Sequence, residues 1–421
     1  MNSRPYVLGV LVALSTLNQL DRQLMAILLE PIRREFVLSD VQLGLLSGLA
    51  FAAIYAALSI PAALWAVNHN RRNLIAAAAA IWGTTTILFG AAQSYWQLLL
   101  SRIGTGAGEA GAMPASHSII SDLYRPHERA GAMSAWSAGI NLGIFIAFLA
   151  GGYIGHRYGW RMAFAAAGIL TLAVALLARL TIAEPVRSAD ARSAALRAAP
   201  SATILREAIT ALWSDAVLRH VMAGATITAV VGYGTLTWAP SYLVRSHGLS
   251  LPTVGVYLAI VIGVGGAIGA IVGGRLCDRL GRRDIRWSLW LVGIAYIATK
   301  PLAMIFYLSA DTVIALSAFV LPALVSTLYL GPSISVLHNR VAAPLRPAVS
   351  ALFLMLLNLV GLGIGPLLVG MMSEWLFNGT SNSLGYALAA LHIVGLWGGL
   401  HFIVAGNRLA GSPRAPAKPG L

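Results

Sequence analysis

Along the chain, apolar stretches alternate with short polar connections about twelve times, and each stretch is close to the roughly 20 residues that a helix needs to cross a hydrocarbon core. They fall near 6–29, 41–64, 73–94, 97–119, 131–154, 162–183, 218–243, 253–276, 287–308, 312–335, 347–372 and 384–405. The pattern predicts an all-α membrane protein of twelve transmembrane helices. The first stretch is too long for a signal-peptide core and is expected to be retained. One connection is much longer than the rest and divides the helices six and six. The predicted organisation is therefore an N-terminal bundle over 1–183, a linker over 184–217, a C-terminal bundle over 218–406 and a tail over 407–421. In the linker, the part through Arg187, Asp190, Arg192 and Arg197 is polar and rich in small residues. Its second part places Ile204, Leu205, Ala208, Ile209, Leu212 and Trp213 on one helical face, as suits a short helix lying at a membrane surface.

Composition sharpens this picture. Charged residues make up 10% of the chain, against about 25% in soluble domains. The net charge of +14 follows from where the arginines lie. Arg71, Arg72, Arg125, Arg129 and the cluster Arg275, Arg279, Arg282, Arg283 and Arg286 share the side of the termini, whereas Arg33, Arg34 and Arg157 lie opposite. By the positive-inside rule both termini are expected in the cytoplasm, and the Arg- and Ala-rich composition points to a bacterial inner membrane. This bias accounts for the high pI without nucleic-acid binding. Cys277 stands alone, so an internal disulfide is impossible, and Asn378, Gly379 and Thr380 form a sequon of the kind chance produces. HExxH, GxSxG and Walker A motifs are all missing, which argues against an enzyme and against an ATP-driven pump. No cofactor or metal is expected. The expected partners are protons, membrane lipids and a small amphipathic or anionic substrate, handled by a monomer.

Four charges stand out inside the first and fourth predicted spans: Asp21 and Arg22 in the first, Arg102 and Glu109 in the fourth. Each costs about 2.5 to 3.5 kcal/mol at the centre of a membrane helix, so such residues pair or line a water-filled path. Ser15, Asn18 and Arg22 share one side of the first helix, and Asp21 lies about 100° round from Arg22. Neighbouring positions do not face each other; each residue needs a partner elsewhere. On the fourth helix Arg102, Thr105, Glu109 and Ser116 form a polar stripe, and at about 1.5 Å of rise per residue Arg102, Arg22, Asp21 and Glu109 fall at successive depths between roughly 7 and 18 Å, so one charge cluster across helices 1 and 4 is expected. It is either a structural ion network or a proton-coupled site. An apolar setting favours a neutral carboxyl and a nearby Arg an ionised one, so moving the Arg changes proton affinity. Asn18, Arg102 and Thr105, with Tyr233, Thr235, Trp238, Tyr329 and Asn358 from the other half, are candidates to line a central cavity. Lys300, before Pro301, suits snorkelling or packing better than substrate contact. His117 and His392 are expected to be satisfied within the bundles. Gly263, Gly265, Gly266, Gly269 and Gly273 suit close helix packing.

Two connections repeat. Gly274, Arg275, Leu276, Cys277, Asp278, Arg279, Leu280, Gly281, Arg282 and Arg283 read GxxxDRxGRR, and Trp65 to Arg72 is a degenerate copy. With twelve helices and a central linker, this resembles the major facilitator superfamily over essentially the whole chain, which implies two six-helix bundles related by a pseudo-two-fold axis. Gly108, Glu109, Ala110 and Gly111, then Pro114, and Ile120, Ser121 and Asp122 before Arg129, resemble the fourth helix of the spinster branch and of neighbouring organic-anion symporters. Asn18, Gln19, Leu20, Asp21 and Arg22 through Glu30, Pro31 and Ile32, and Gly361, Gly363, Gly365 and Pro366 through Gly370, are also similar to spinster-like proteins. The resemblance implies proton carriage by Glu109 and Asp21 with Arg22 as movable partner, and a lysophospholipid or sphingoid substrate; the alternative is proton-coupled symport of small organic anions. It further implies a cytoplasmic charge latch of Asp278 with Arg279, Arg282 and Arg283, and of Asp122 with Arg129 and Arg71, although positive-inside anchoring accounts for the same arginines. Val67 departs from the pattern, standing where the first-half signature carries Asp.

Overall fold

A computed structural model describes residues 3–185 and 202–411, and all regular structure in them is helical. The membrane helices are α1 (Arg4–Ile27), α2 (Asp40–Ala66), α3 (Arg71–Ala91), α4 (Tyr95–Glu109, continued by Ala112–Leu123), α5 (Arg129–Tyr158), α6 (Trp160–Thr181), α7 (Ala216–His247), α8 (Leu251–Gly281), α9 (Trp287–Leu308), α10 (Thr312–Arg340), α11 (Ala343–Leu376) and α12 (Ser383–Leu409). Ten of these are long and apolar enough to cross a membrane. The other two, α1 and α4, carry Asp21, Arg22, Arg102 and Glu109. Helices α1–α6 and α7–α12 form two bundles, and the even number of crossings brings both described ends to one face, called here the terminal end; the opposite face is the distal end.

Several spans that read as continuous are interrupted. α4 breaks at Ala110 and Gly111, where Pro114 has no N–H to offer the carbonyl four residues back. α9 breaks at Thr299, just before Lys300 and Pro301, and α10 unwinds over Ser326–Tyr329. Wide π-type turns occupy Leu45–Leu49, Ala259–Val264 and Leu357–Ile364 in α2, α8 and α11, where single wide turns recur at functional positions.

The bundles meet most closely through the distal halves of α2 with α11 and of α5 with α8, on backbone rather than side chains. A Cβ on Gly255 would lie 2.3 Å from the Phe148 carbonyl oxygen, one on Gly152 2.7 Å from that of Leu251, and one on Gly370 2.2 Å from that of Asp40. Small residues let helices approach this closely where lipid tails give no hydrophobic drive to association. Beside this seam, Glu35 of the short helix Leu29–Phe36 pairs with Arg161 and accepts the Trp160 indole N–H at 2.6 Å. The Arg161 hydrogen bond holds the Glu35 carboxyl below its usual range.

In the linker, residues 186–201 lie outside the described residues, as does the tail from 412. The helix Ala202–Ser214 turns Ala208 and Leu212 onto the C-terminal bundle and leaves Ile209 and Trp213 exposed. An apolar edge facing away from the protein suits a helix resting in the membrane interface.

Gly255→Leu is expected to part the bundles distally. In a Cys277→Ser background, spin labels at the exposed positions Tyr158 and Thr253 should move apart by several ångström. An unchanged distance would mean that the glycine crossing does not hold this end closed.

Candidate functional site: a buried double ion pair beside a central cavity

The two neighbouring charges of α1 point to different partners. Arg22 Nε donates to Glu109 Oε2 at 2.7 Å, and Arg102 donates to Asp21 Oδ2 at 3.2 Å. Thr86 of α3 donates to Asp21 Oδ1 at 2.6 Å. Both guanidinium groups lie over the ring of Phe51 of α2, its centroid 4.7 Å from Arg22 and 5.1 Å from Arg102, and Tyr55 is 4.9 Å from Arg22. The ring face attracts cations, the more so where water is excluded.

The two pairs are not equivalent. Both Asp21 oxygens are hydrogen-bonded, whereas Glu109 Oε1 has no hydrogen-bond partner among the described residues. The Glu109 side chain is sealed from solvent, but that of Arg22 keeps 13% of its surface. Arg22 and Arg102 line a cavity of about 30 Å³ whose walls include Met25, Ala26 and Phe51 from one bundle and Tyr233, Leu236, Thr237 and Leu362 from the other. That is room for about one water. Water entering at the centre would meet Arg22, which keeps some surface, before Glu109, which is sealed.

The remaining sequence candidates take varied places. Thr105 is buried and bonds Thr85 Oγ1 at 3.1 Å and the Ser101 carbonyl at 2.9 Å, bracing α4 on α3. Asn18 is half-buried on α1, and Tyr329 is half-buried at the unwound turn of α10. Trp238 is fully buried with its indole N–H on the Pro366 carbonyl at 2.9 Å, and the Asn358 amide donates to the Leu354 carbonyl at 2.9 Å within α11. Of the expected residues from the C-terminal half, Tyr233 is the one on the cavity wall. His117 packs edge-on against Trp136 at 4.5 Å.

At the terminal end, Arg71 is buried among Asp122, Ser118 and Glu184, the last at 2.8 Å. Arg71, Ser118 and Asp122 belong to the N-terminal bundle and Glu184 to the start of the linker. Arg129 donates to the Tyr124 carbonyl at 3.1 Å rather than to Asp122. Among the described residues Asp278, Arg279, Arg282 and Arg283 of the second loop form no salt bridge, so no described ion pair from these loops joins the bundles at this end. The side chain of Val67 lies outside the described residues.

The interbundle ion pairs are at the distal end. Arg245 of α7 donates to Glu30 Oε2 at 2.6 Å and to both oxygens of Asp40, at 2.8 and 3.1 Å. Ser373 of α11 donates to Asp40 Oδ2 at 2.7 Å, and Glu374 accepts the Val41 N–H at 2.9 Å. Sequence reasoning passed over this lock. Asp40 follows a Ser39–Gln42 capping box and reads as an ordinary helix start, and Arg245 reads as a cation complementing a helix C-terminus.

Removing one partner of a buried pair costs about 3 to 5 kcal/mol because the other charge is left uncompensated. Arg245 retains some exposure, so Arg245→Gln should cost toward the lower end, read as a fall in melting temperature. Glu30→Gln and Asp40→Asn added to it should recover most of the loss; no recovery would mean that Arg245 acts through packing on Trp238.

Similarity to known proteins agrees with this architecture. The profile of the Major Facilitator Superfamily matches residues 11–366. The chain is 34% identical over 397 residues to an MFS-type efflux pump of Mycolicibacterium smegmatis, covering 92% of this chain and 90% of that protein. It is 25% identical over 431 residues to the sphingosine-1-phosphate transporter SPNS2 of Danio rerio, covering 94% and 82%. The crystal structure of a bacterial homologue of the human lysosomal transporter Spinster, inward-facing and unoccupied, superposes with a TM-score of 0.88 at 27% identity over 99% of this chain and 100% of that one. With its all-helical two-bundle fold and its match over most of its length, the chain belongs to the Major Facilitator Superfamily, is a transporter rather than an enzyme, and is similar to the spinster-like members of that family.

Proposed function

We propose that the protein is a proton-coupled secondary transporter that moves an amphipathic lipid of the lysophospholipid or sphingoid type by alternating access. In this reading it lies in a bacterial inner membrane with both termini cytoplasmic, acts as a monomer and opens next at the terminal end. The observation that carries the reading is the Arg22–Glu109 pair: the arginine edges the cavity while the carboxylate behind it is sealed, with one oxygen unpartnered. When an anionic head group draws Arg22 away, Glu109 is left ionised in an apolar setting and takes up a proton from entering water. Return of Arg22 displaces that proton. Asp21, held by Arg102 and Thr86, serves as the second, more tightly tethered carboxylate.

The cavity walls favour an amphipath. Both cations lie on the N-terminal side, and the opposite wall offers Tyr233, Leu236, Thr237 and Leu362. A small dicarboxylate would leave its second charge against that wall without a cation, whereas a single head group with an apolar chain fits both faces. The distal lock, together with the lack of an interbundle ion pair at the terminal end among the described residues, supports opening toward the terminal end. There the loop at 274–283 acts as one half of a latch that forms in the opposite state.

Glu109→Gln should leave the protein folded and abolish the dependence of transport on a pH gradient, because Gln keeps the shape but exchanges no proton. Counterflow in proteoliposomes provides the measure, and transport that still follows the gradient would remove Glu109 from the coupling. Substrate class is tested by thermal shift of the purified protein with lysophospholipids, phosphorylated sphingoid bases and small carboxylates. A ligand at 100 times its Kd stabilises by about 2.7 kcal/mol. The lipids should raise the melting temperature and the carboxylates should not; the reverse outcome would favour organic-anion symport. Arg22→Ala should weaken lipid binding mainly at pH values where Glu109 is ionised, whereas an equal loss at every pH would make Arg22 a direct head-group ligand and not a movable counter-ion.

A further inference from the structure

The two bundles hold buried charge by different means. In the N-terminal bundle two arginines face two carboxylates. In the C-terminal bundle the buried cation is Lys300, and no described carboxylate pairs with it. Asp215, Asp278, Asp284, Asp311 and Glu374 of that half all lie at or near helix ends. Lys300 Nζ instead lies 3.2 Å from His392 Nδ1 of α12 and 3.4 Å from the centroid of the Tyr296 ring. His392 Nε2 is 2.9 Å from Thr235 Oγ1 of α7, and the Tyr307 hydroxyl reaches the same oxygen at 3.4 Å. Lys300 and His392 are each 5% exposed.

Composition makes the choice of amine informative. Of the 29 Lys and Arg residues in the chain, two are lysines, Lys300 and Lys418. Arginine does not give up its proton in proteins, and lysine can. Wherever this chain needs a fixed positive charge in its described part it uses Arg, and at one buried position it uses a group able to titrate, set against another such group.

We propose that Lys300 and His392 form a proton-binding site of the C-terminal bundle, distinct from Glu109 and Asp21, in which the two nitrogens share a single proton. If Nζ is an ammonium, Nδ1 must accept from it, which leaves the imidazole neutral with its hydrogen on Nε2 and directed at Thr235. If Nδ1 carries the proton, Nζ must be an amine that accepts. Two protons would set donor against donor and cation against cation with no carboxylate nearby. The groups facing the pair are Tyr296 and Tyr307 from α9 and Thr235 from α7; α12 adds no other titratable group there, and the first half of α10, Thr312–Val325, which packs against α9, carries none. The space is filled rather than open to an anion: a Cβ on Gly395 would lie 3.0 Å from Nζ, and neither residue lines the central cavity. Lys300 is also the first residue beyond the break in α9, so the proton sits where the two segments of that helix meet α7 and α12.

Lys418→Arg makes Lys300 the sole lysine of the full chain. In lipid nanodiscs, with nitrogen-15 in the lysine side chain and in histidine, solid-state magnetic resonance reports both protonation states directly. The Nζ signal is expected to interconvert between ammonium and amine within the pH range where the protein stays folded. A histidine Nδ1 signal, missing from His392→Gln, should move with the same midpoint. In His392→Gln the Nζ midpoint should shift by about one pH unit, a tenfold change in proton affinity. If His392→Gln does not fold, the common midpoint of the two signals in the protein with His392 intact still decides the matter. An Nζ that keeps one protonation state throughout, or that titrates independently of the histidine, overturns the proposal.

Discussion

A charge taken into hydrocarbon must take its counter-charge with it, and that constraint fixes the centre of this molecule. Asp21 and Arg22 are adjacent on α1 and so point about 100° apart. To satisfy both, α1 needs polar groups on two sides, and α4 supplies Arg102 and Glu109 seven residues apart, about 10.5 Å of helix rise. The rotation of α1, the register of α4 and the position of Thr86 on α3 are thereby set together. Phe51 sets a ring face against both guanidinium groups, an apolar surface that attracts cations. Such a network stabilises little in net terms, but it discriminates sharply against any other packing of the same helices.

The same constraint is met differently elsewhere. Near the membrane surfaces, Arg71 and Arg245 each gather more than one carboxylate, and partial hydration eases the cost. In the C-terminal bundle a lysine faces a histidine with no acid at all. In an Arg–carboxylate pair the cation is fixed and only the carboxylate can titrate. An amine and an imidazole can instead lose the charge altogether, so the two halves respond to their surroundings by different physical routes.

Much of this was legible in the sequence, and the gaps have physical causes. The twelve spans follow from length and hydropathy because a bilayer imposes both. Asp21, Arg22, Arg102 and Glu109 stand out because charge is rare in such spans, and helical spacing alone requires that Asp21 and Arg22 find separate partners. Which partner each finds is tertiary information. The breaks in α4 and α9 have local causes in Pro114 and Pro301, but hydropathy runs straight through them. The distal lock is invisible locally, since Asp40 and Arg245 both look like routine helix-end residues and lie 205 positions apart. Trp238 has the size and polarity of a cavity residue, yet its indole caps the Pro366 carbonyl, a contact that depends on how α7 meets α11.

The glycine seam has a mechanical consequence. Backbone against backbone leaves nothing compressible between the bundles, so the crossings of α5 on α8 and α2 on α11 act as a fulcrum near one membrane face. Over a hydrocarbon depth of roughly 30 Å, a rotation of about 10° about such a fulcrum displaces the far ends by about 5 Å, close to the width of an extended acyl chain. Small angular changes at the seam thus become molecule-sized openings at the other face, and the stiffness of a few glycine contacts sets how much force that opening requires.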